Sequence, residues 1–269
     1  MPTPARILIA AGSDSGGGAG IQADIKTATA LGAYAMTAIT AVTVQDTTGV
    51  HSSHAILPQI VRDQIRVVLA DIGADVVKTG MLVSARTVEA VAKALEPHKG
   101  IPLVIDPVMI AKGGADLVDE SGVEAMKSLL FPLAALITPN APEAARLTGL
   151  RVETTDDLVR AAEVLRERQK GGAVLVKGGH ILGDTVVDVL ADMEGLHIFR
   201  TPRIGTKPMH GTGCTLATAI AVGIAQRFSL KEAVSRARDY VQEAVKSSLS
   251  FGHGAGLLNH LHPIPRSEK

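Results

Sequence analysis

Tryptophan is absent from this chain, there is one cysteine, and aromatic residues make up only 2% of 269 positions. Each scarcity excludes something. Few aromatic rings leave little material for a base-stacking nucleic-acid platform. A single cysteine can form neither an internal disulfide nor a zinc cluster. Neither sign of charge is in excess: 27 Lys and Arg balance 27 Asp and Glu, so neither a basic stripe for nucleic acid nor an acidic tail is expected. The apolar runs are broken by Gly, Lys or Asp well short of the ~20 residues a membrane helix needs. The N-terminus lacks the charged and apolar regions of a signal peptide. The expectation is a soluble cytoplasmic protein.

Apolar side chains are plentiful at 46%, enough for a sizeable core. Short β-rich runs alternate with helical patterns. Strands are expected at Ile7–Ala11, Tyr34–Val44, Val76–Lys78, Leu103–Ile105, Ala135–Ile137 and Ala173–Val176. A hairpin is expected from Val186–Ala191 and His197–Thr201 around Met193-Glu194-Gly195. Helices fall at Ile21–Leu31, Gln59–Asp71, after Ser84, and at about 213–226 and 230–249. Alternation of strand and helix predicts an α/β fold: a mainly parallel sheet with helices on both faces, forming three layers in one domain. Polar and glycine-rich clusters recur just after the predicted strands, where open α/β sheets bind ligands.

The lone cysteine, Cys214, lies in Gly211-Thr212-Gly213-Cys214-Thr215, directly before an apolar helical run. Unpaired amides at such a helix start attract anions. The same dipole is expected to favour the Cys214 thiolate. A second glycine cluster spans residues 12–20, with five glycines in nine positions, and lets a backbone pass close to a ligand. A flexible strand-to-helix turn is the alternative. Within it Gly18-Ala19-Gly20-Ile21-Gln22-Ala23 matches a dinucleotide fingerprint, but too far beyond the strand end to serve as one. No Walker A loop occurs.

Other strand ends carry chemistry. Gln45 offers a donor beside an acceptor, which matches the edge of an aminopyrimidine; a solvated loop glutamine is the alternative. Asp24 either accepts a hydrogen bond from a ligand or acts as a first-turn dipole residue. Asp106, Asn140 and Glu143 form a set of hard oxygen donors suited to Mg²⁺, although Glu143 is also explained by its place after Pro142 at a helix start. Lys177 ends a strand before two glycines, where an ammonium can reach phosphates; otherwise it is a surface lysine. Of nine histidines, His253, His260 and His262 read as polar tail residues and His210 as structural.

Taken in order, seven segments resemble the hydroxymethylpyrimidine and phosphomethylpyrimidine kinases of thiamine biosynthesis, within the ribokinase-like superfamily. They are Gly12–Asp24, Val44-Gln45-Asp46, Val77–Leu82, Val104–Met109, Thr138–Ala144, Val176–His180 and His210–Cys214. The ending Gly252-His253-Gly254 with Asn259-His260 is similar as well. The resemblance implies transfer of the ATP γ-phosphate to a pyrimidine hydroxymethyl group and then to the resulting monophosphate. It implies that Gln45 reads the aminopyrimidine with Gly12, Asp24 and Met81 around it. It places Lys177, Gly211, Thr212, Gly213 and Cys214 at the phosphates, and Asp106, Asn140 and Glu143 at Mg-ATP. A homodimer is also implied. Cys214 stands where the wider superfamily usually has Asp, and Cys is the pattern of the closer family. Rival readings are a pyridoxal kinase of the same fold, a non-catalytic ligand sensor, and a dehydrogenase, which the misplaced glycine loop disfavours. The Gly113-Gly114 region and the Gly205–His210 stretch are candidate flaps.

Overall fold

Strand β1 (Arg6–Asp14) is short of charge and buries Ile7 and Ile9 on one face and Leu8 and Ala10 on the other. A strand apolar on both sides must lie inside a sheet covered on both faces. The structure, a computed structural model, describes residues 3–110, 116–169, 171–205 and 209–264. In chain order β1 is followed by α1 (Gly20–Ala30), β2 (Tyr34–Gln45), β3 (Val50–Ala55), α2 (Pro58–Asp71), β4 (Val76–Thr79), α3 (Ala85–Leu95) and β5 (Leu103–Ile105). Then come α4 (Glu120–Ala125), β6 (Leu136–Ile137), α5 (Ala141–Thr148), α6 (Thr155–Arg168), β7 (Ala173–Lys177), β8 (Thr185–Asp192) and β9 (Gly195–Pro202). The chain closes with β10 (Met209–His210), α7 (Thr212–Ala225), α8 (Leu230–Lys246) and β11 (Gly256–Leu257).

Nine strands form one sheet in the order β3-β2-β1-β4-β5-β6-β7-β8-β9. The strands from β2 to β7 are parallel, and β3, β8 and β9 join antiparallel at the edges. One core lies under α2 to α6 and the other under α1, α7 and α8. This is the expected three-layer α/β arrangement. The chain leaves β1 to β2 on one side and resumes at β4 on the other. That reversal opens a crevice at the carboxyl ends of β1 and β4.

The expected strands and the hairpin are present within a few residues of their predicted limits. Ser84 caps α3 by accepting from the Thr87 amide at 3.3 Å. Strand β3 was not expected, because Val-His-Ser-Ser-His-Ala is polar and exposed, without the alternation that marks a half-buried strand. Gly113-Gly114 lies outside the described residues, as does the middle of the Gly205–His210 stretch; Met209 and His210 pair in parallel with Gly256 and Leu257. Among the described residues no helix is long and apolar enough to cross a membrane.

Candidate active site

The carboxyl ends of β5 and β7 bring a carboxylate and an ammonium together beneath the start of α7. Lys177 Nζ donates to Asp106 Oδ1 at 2.7 Å, and Thr138 Oγ1 donates to the same oxygen at 3.2 Å. Lys177 is therefore not a surface residue; it is 9% exposed, and Asp106 is 2% exposed. Burial pushes the Lys177 ammonium down, but Asp106 and Glu143 outweigh it and hold its pKa above the ordinary lysine value. Asp106 Oδ2 faces α7, 3.6 Å from where a Cβ on Gly213 would stand, and Lys177 Nζ would be 3.2 Å from that Cβ. Glycine at 213 thus leaves both charges open to the helix start.

Gly211, with φ +82, is the cap residue just before α7, and no side chain caps the helix. Its first amides have no partner within the helix. Gly211 is required twice over: its φ is left-handed, and a Cβ would fall 1.9 Å from the Gly18 carbonyl oxygen. The two glycine segments therefore touch. The first closes on itself, since the Asp14 carboxylate accepts from the amides of Gly16, Gly18 and Ala19 at 2.8, 3.0 and 2.8 Å. Anion-facing amides come from α7 rather than from that loop.

Asn140 and Glu143 form a reciprocal cap on α5. Asn140 Oδ1 accepts from the Glu143 amide at 2.9 Å, and Glu143 Oε2 accepts from the Asn140 amide at 2.8 Å. Glu143 is buried, and burial raises its pKa against the pull of Lys177. Among the described residues no three His, Cys, Asp or Glu side chains gather to hold a metal. Mg²⁺ does not need such a cage, because it keeps several waters and takes phosphate oxygens with one or two carboxylates. Asp106, with Oδ2 directed at the helix start, fits that demand, and buried Glu143 stands close enough to raise the Lys177 pKa.

Beyond α7, Gly12 and Met81 meet: a Cβ on Gly12 would lie 2.4 Å from Met81 Cε. The Met81 carbonyl accepts from Thr40 Oγ1 at 2.6 Å. Met81 also borders a cavity of about 370 Å³ with Ser53, Val83 and residues 116–119. Asp24 sits in the second turn of α1, so it is not a first-turn dipole residue. Both its oxygens are engaged: Lys78 Nζ donates to Oδ2 at 2.8 Å and Thr218 Oγ1 to Oδ1 at 2.6 Å. Asp24 and Lys78 are wholly shielded from solvent, so Asp24 ties α1, β4 and α7 together.

Cys214 is half-buried at the expected helix start, and its sulfur accepts from the Gly20 amide. Its ionisation departs from the expectation. Burial pushes the thiol up to about 11, outweighing Lys78, while Asp24 and Asp106 add to the rise. Helix amides favour a thiolate, but desolvation among carboxylates disfavours it more.

Gln45 ends β2 with its side chain held at both ends. Its Oε1 is 3.1 Å from Thr43 Oγ1, and its Nε2 is 2.7 Å from His210 Nε2. His210 Nε2 also lies 3.2 Å from Asp14 Oδ2. His260 is no polar tail residue. It is 4% exposed, bonded to Thr215 Oγ1 at 2.9 Å, and burial lowers its pKa to about 4.

Lys78, His210 and Asp14 contact the candidate residues or one another, and none of the three was itself expected as a site residue. Lys78 carried a signal. A lysine inside Val-Val-Lys-Thr, a strand buried at every position, must have a buried anionic partner.

Comparisons with known proteins identify the family and the fold. The family model described as phosphomethylpyrimidine kinase matches residues 14–259. The thiamine biosynthesis bifunctional protein ThiED of Geobacter sulfurreducens is 49% identical over 255 residues, which are 95% of this chain and 52% of that protein. A hydroxymethylpyrimidine/phosphomethylpyrimidine kinase of Streptomyces coelicolor is 46% identical over 258 residues, 96% of this chain and 95% of that one. The chain thus spans about half of the bifunctional protein and nearly all of the Streptomyces kinase. The solved ADP complex of Bacillus subtilis pyridoxal kinase shares the fold with a TM-score of 0.89 at 33% identity, covering 96% of this chain and 98% of that one. The expected ribokinase-like architecture is therefore the observed one, and the chain belongs to the phosphomethylpyrimidine kinase family.

Proposed function

We propose that the protein transfers the γ-phosphoryl group of ATP to the hydroxymethyl oxygen of 4-amino-5-hydroxymethyl-2-methylpyrimidine, and then a second phosphoryl group to the monophosphate, in thiamine biosynthesis. The observation that carries this reading is the uncapped start of α7 above the buried Lys177–Asp106 pair, one residue from the His210–Gln45 contact. Phosphate-facing groups and a heteroaromatic-reading group thus share one crevice.

In each step an oxygen–phosphorus bond forms to the acceptor, the bond between the γ-phosphorus and its bridging oxygen breaks, and ADP leaves. Such transfer depends mainly on positioning and on stabilising charge. The amides of Thr212, Gly213 and Cys214 face the charge that builds on the phosphoryl oxygens. Lys177 adds a fixed cation, held charged by Asp106. Asp106 and Glu143 are the proposed Mg²⁺-handling carboxylates, with Asn140 fixing Glu143. Mg²⁺ bound there would neutralise charge on the phosphate oxygens. Gln45, Gly12 and Met81 form the acceptor side, and Asp24 holds it to α7.

Cys214 is the proposed acceptor-side residue nearest the transfer. With its pKa near 11 it is a neutral thiol at pH 7, and a neutral thiol cannot take the alcohol proton. The base role therefore requires Cys214 to ionise in the ternary complex, where Lys78 already favours the thiolate.

We further place the protein in the cytoplasm as a homodimer. The lone cysteine suits a reducing compartment. The exposed Val42 and Val44 of β2, beside the exposed edge strand β3, supply an apolar patch for a second copy.

The likeness to a solved pyridoxal kinase favours one second reading, pyridoxal as an alternative acceptor. An ATP-consumption assay across the hydroxymethylpyrimidine, its monophosphate and pyridoxal separates the two. The proposal expects the highest kcat/KM with the pyrimidines. A clear preference for pyridoxal overturns it.

A further inference from the structure

The contacts of His210 outnumber what a structural histidine next to a glycine loop requires. Its Nε2 lies 2.7 Å from Gln45 Nε2 and 3.2 Å from Asp14 Oδ2. At the far end of the carboxamide, Thr43 Oγ1 is 3.1 Å from Gln45 Oε1 and 2.9 Å from the Ser13 carbonyl oxygen. A carboxamide can turn over about its terminal bond with almost no change of shape. Hydrogen-bond capacity therefore decides how it sits. Thr43 has one hydroxyl proton, Nε2 carries either a proton or a lone pair, and the amide has two N–H donors and one oxygen with two lone pairs.

Two arrangements pair both ends of the carboxamide, and only the second also meets the Ser13 carbonyl and the Asp14 carboxylate. In one, Thr43 donates to the Gln45 oxygen and a Gln45 N–H donates to an unprotonated His210 Nε2. In the other, Thr43 donates to Ser13, a Gln45 N–H donates to Thr43 Oγ1, and His210 Nε2–H donates to the Gln45 oxygen and to Asp14. The second serves Asp14 as well. Burial raises the Asp14 pKa, but His210 and the loop amides outweigh it and hold the carboxyl below its ordinary value.

Both arrangements leave Gln45 one N–H and one lone pair to offer a ligand. The order of the two along the edge is reversed between them. An aminopyrimidine offers a ring acceptor beside an amine donor. Its 4-oxo counterpart offers a ring N–H donor beside a carbonyl acceptor, in nearly the same shape. A freely turning glutamine serves both equally.

We propose that His210, tied to Gln45 and Asp14, is a positioning residue that fixes which way round Gln45 presents its donor and acceptor, and so selects the acceptor by the order of donor and acceptor on its ring edge. This inference rests on Gln45 reading the acceptor, as proposed above. It adds a residue that never needs to touch the substrate.

The test is a ratio of kcat/KM for 4-amino-5-hydroxymethyl-2-methylpyrimidine against its 4-oxo analogue. A site whose buried polar groups are left mispaired rejects a misordered ligand by about 100-fold or more, so the wild type is expected to show at least that ratio. His210→Phe, which removes the tie but fills the space, is expected to shrink the ratio about tenfold or more, with the KM for ATP unchanged. Thr43→Val, close in shape to the parent, releases the other end of the carboxamide and is expected to shrink the ratio likewise; it keeps the test decisive if the histidine variant does not fold. A ratio unchanged in the folded variants, or an equal loss of rate with both acceptors, overturns the proposal. A wild type that uses both pyrimidines equally overturns it while sparing the kinase reading. A wild type that phosphorylates neither overturns the kinase reading, and this proposal with it.

Discussion

Lys78 and Asp24, 54 positions apart in sequence, form an ion pair at 2.8 Å with both side chains wholly out of solvent. Thr218 closes the set from α7 at 2.6 Å, one turn beyond Cys214. The pair pins the strand end, the first helix and the phosphate-facing helix to one another. Lys78→Met leaves an unpaired buried carboxylate and is expected to destabilise the protein by about 3–5 kcal/mol. Adding Asp24→Leu removes the stranded charge and is expected to recover most of that loss, while turnover stays low because α7 is no longer tied. Denaturant midpoints of the single and double variants check this. A double variant no more stable than Lys78→Met contradicts it.

The Cys214 thiol, raised to about 11 by burial, is expected to alkylate slowly at neutral pH. Thiolate, not thiol, is the nucleophile, so the iodoacetamide rate is expected to rise about tenfold per pH unit to roughly pH 10. A plateau by pH 8 contradicts the burial argument. Cys214→Ala is expected to lower kcat by orders of magnitude with little change in ATP affinity. Near-normal kcat removes the base role.

Gly211→Ala places a Cβ 1.9 Å from the Gly18 carbonyl at a φ of +82. The left-handed backbone alone costs about 1–2 kcal/mol, and the clash must part the two glycine segments. Because displacements near 1 Å cost on the order of 100-fold in rate, kcat/KM is expected to fall by that order. Gly49→Ala, with nothing within 4 Å of its Cβ, is the matched control and is expected to keep wild-type rate.

His260 is held near pKa 4 by burial, below its unfolded value of 6.5, with Lys26 and His262 adding to the depression. The native state then binds fewer protons than the unfolded one between those values. Stability is full above pH 6.5, falls as the pH drops toward 4, and levels off below it. The loss is roughly 3 kcal/mol at completion. Urea midpoints of wild type and His260→Gln across pH 4–7.5 check it: the variant is expected to show a shallower acid dependence. Parallel curves contradict the assignment.

Much of this was legible in the sequence because the parallel strands are apolar on both faces and end in polar or glycine-rich clusters. Lys177 and Asp106 could be placed on one crevice from those ends alone, and the family resemblance added the Gly211–Cys214 loop. What could not be read was pairing across the chain. Asp24 offers no local sign that Lys78 and Thr218 will enclose it. Cys214 shows its helix dipole in sequence, but the carboxylates and burial that oppose it come from α1 and β5. Strand β3 escaped notice for a different reason: an exposed edge strand has no face to bury, so it lacks the period-two pattern. His260 resembled a tail residue because only the folded chain lays it against Thr215 of α7.

Phosphoryl transfer at the α7 start can be followed by ³¹P NMR of the purified protein with ATP, Mg²⁺ and 4-amino-5-hydroxymethyl-2-methylpyrimidine. A phosphomonoester resonance is expected to appear and give way to a diphosphate as ADP accumulates, with both conversions strongly slowed by Lys177→Ala. Release of inorganic phosphate alone, or no change in the ATP resonances with this acceptor, would contradict it.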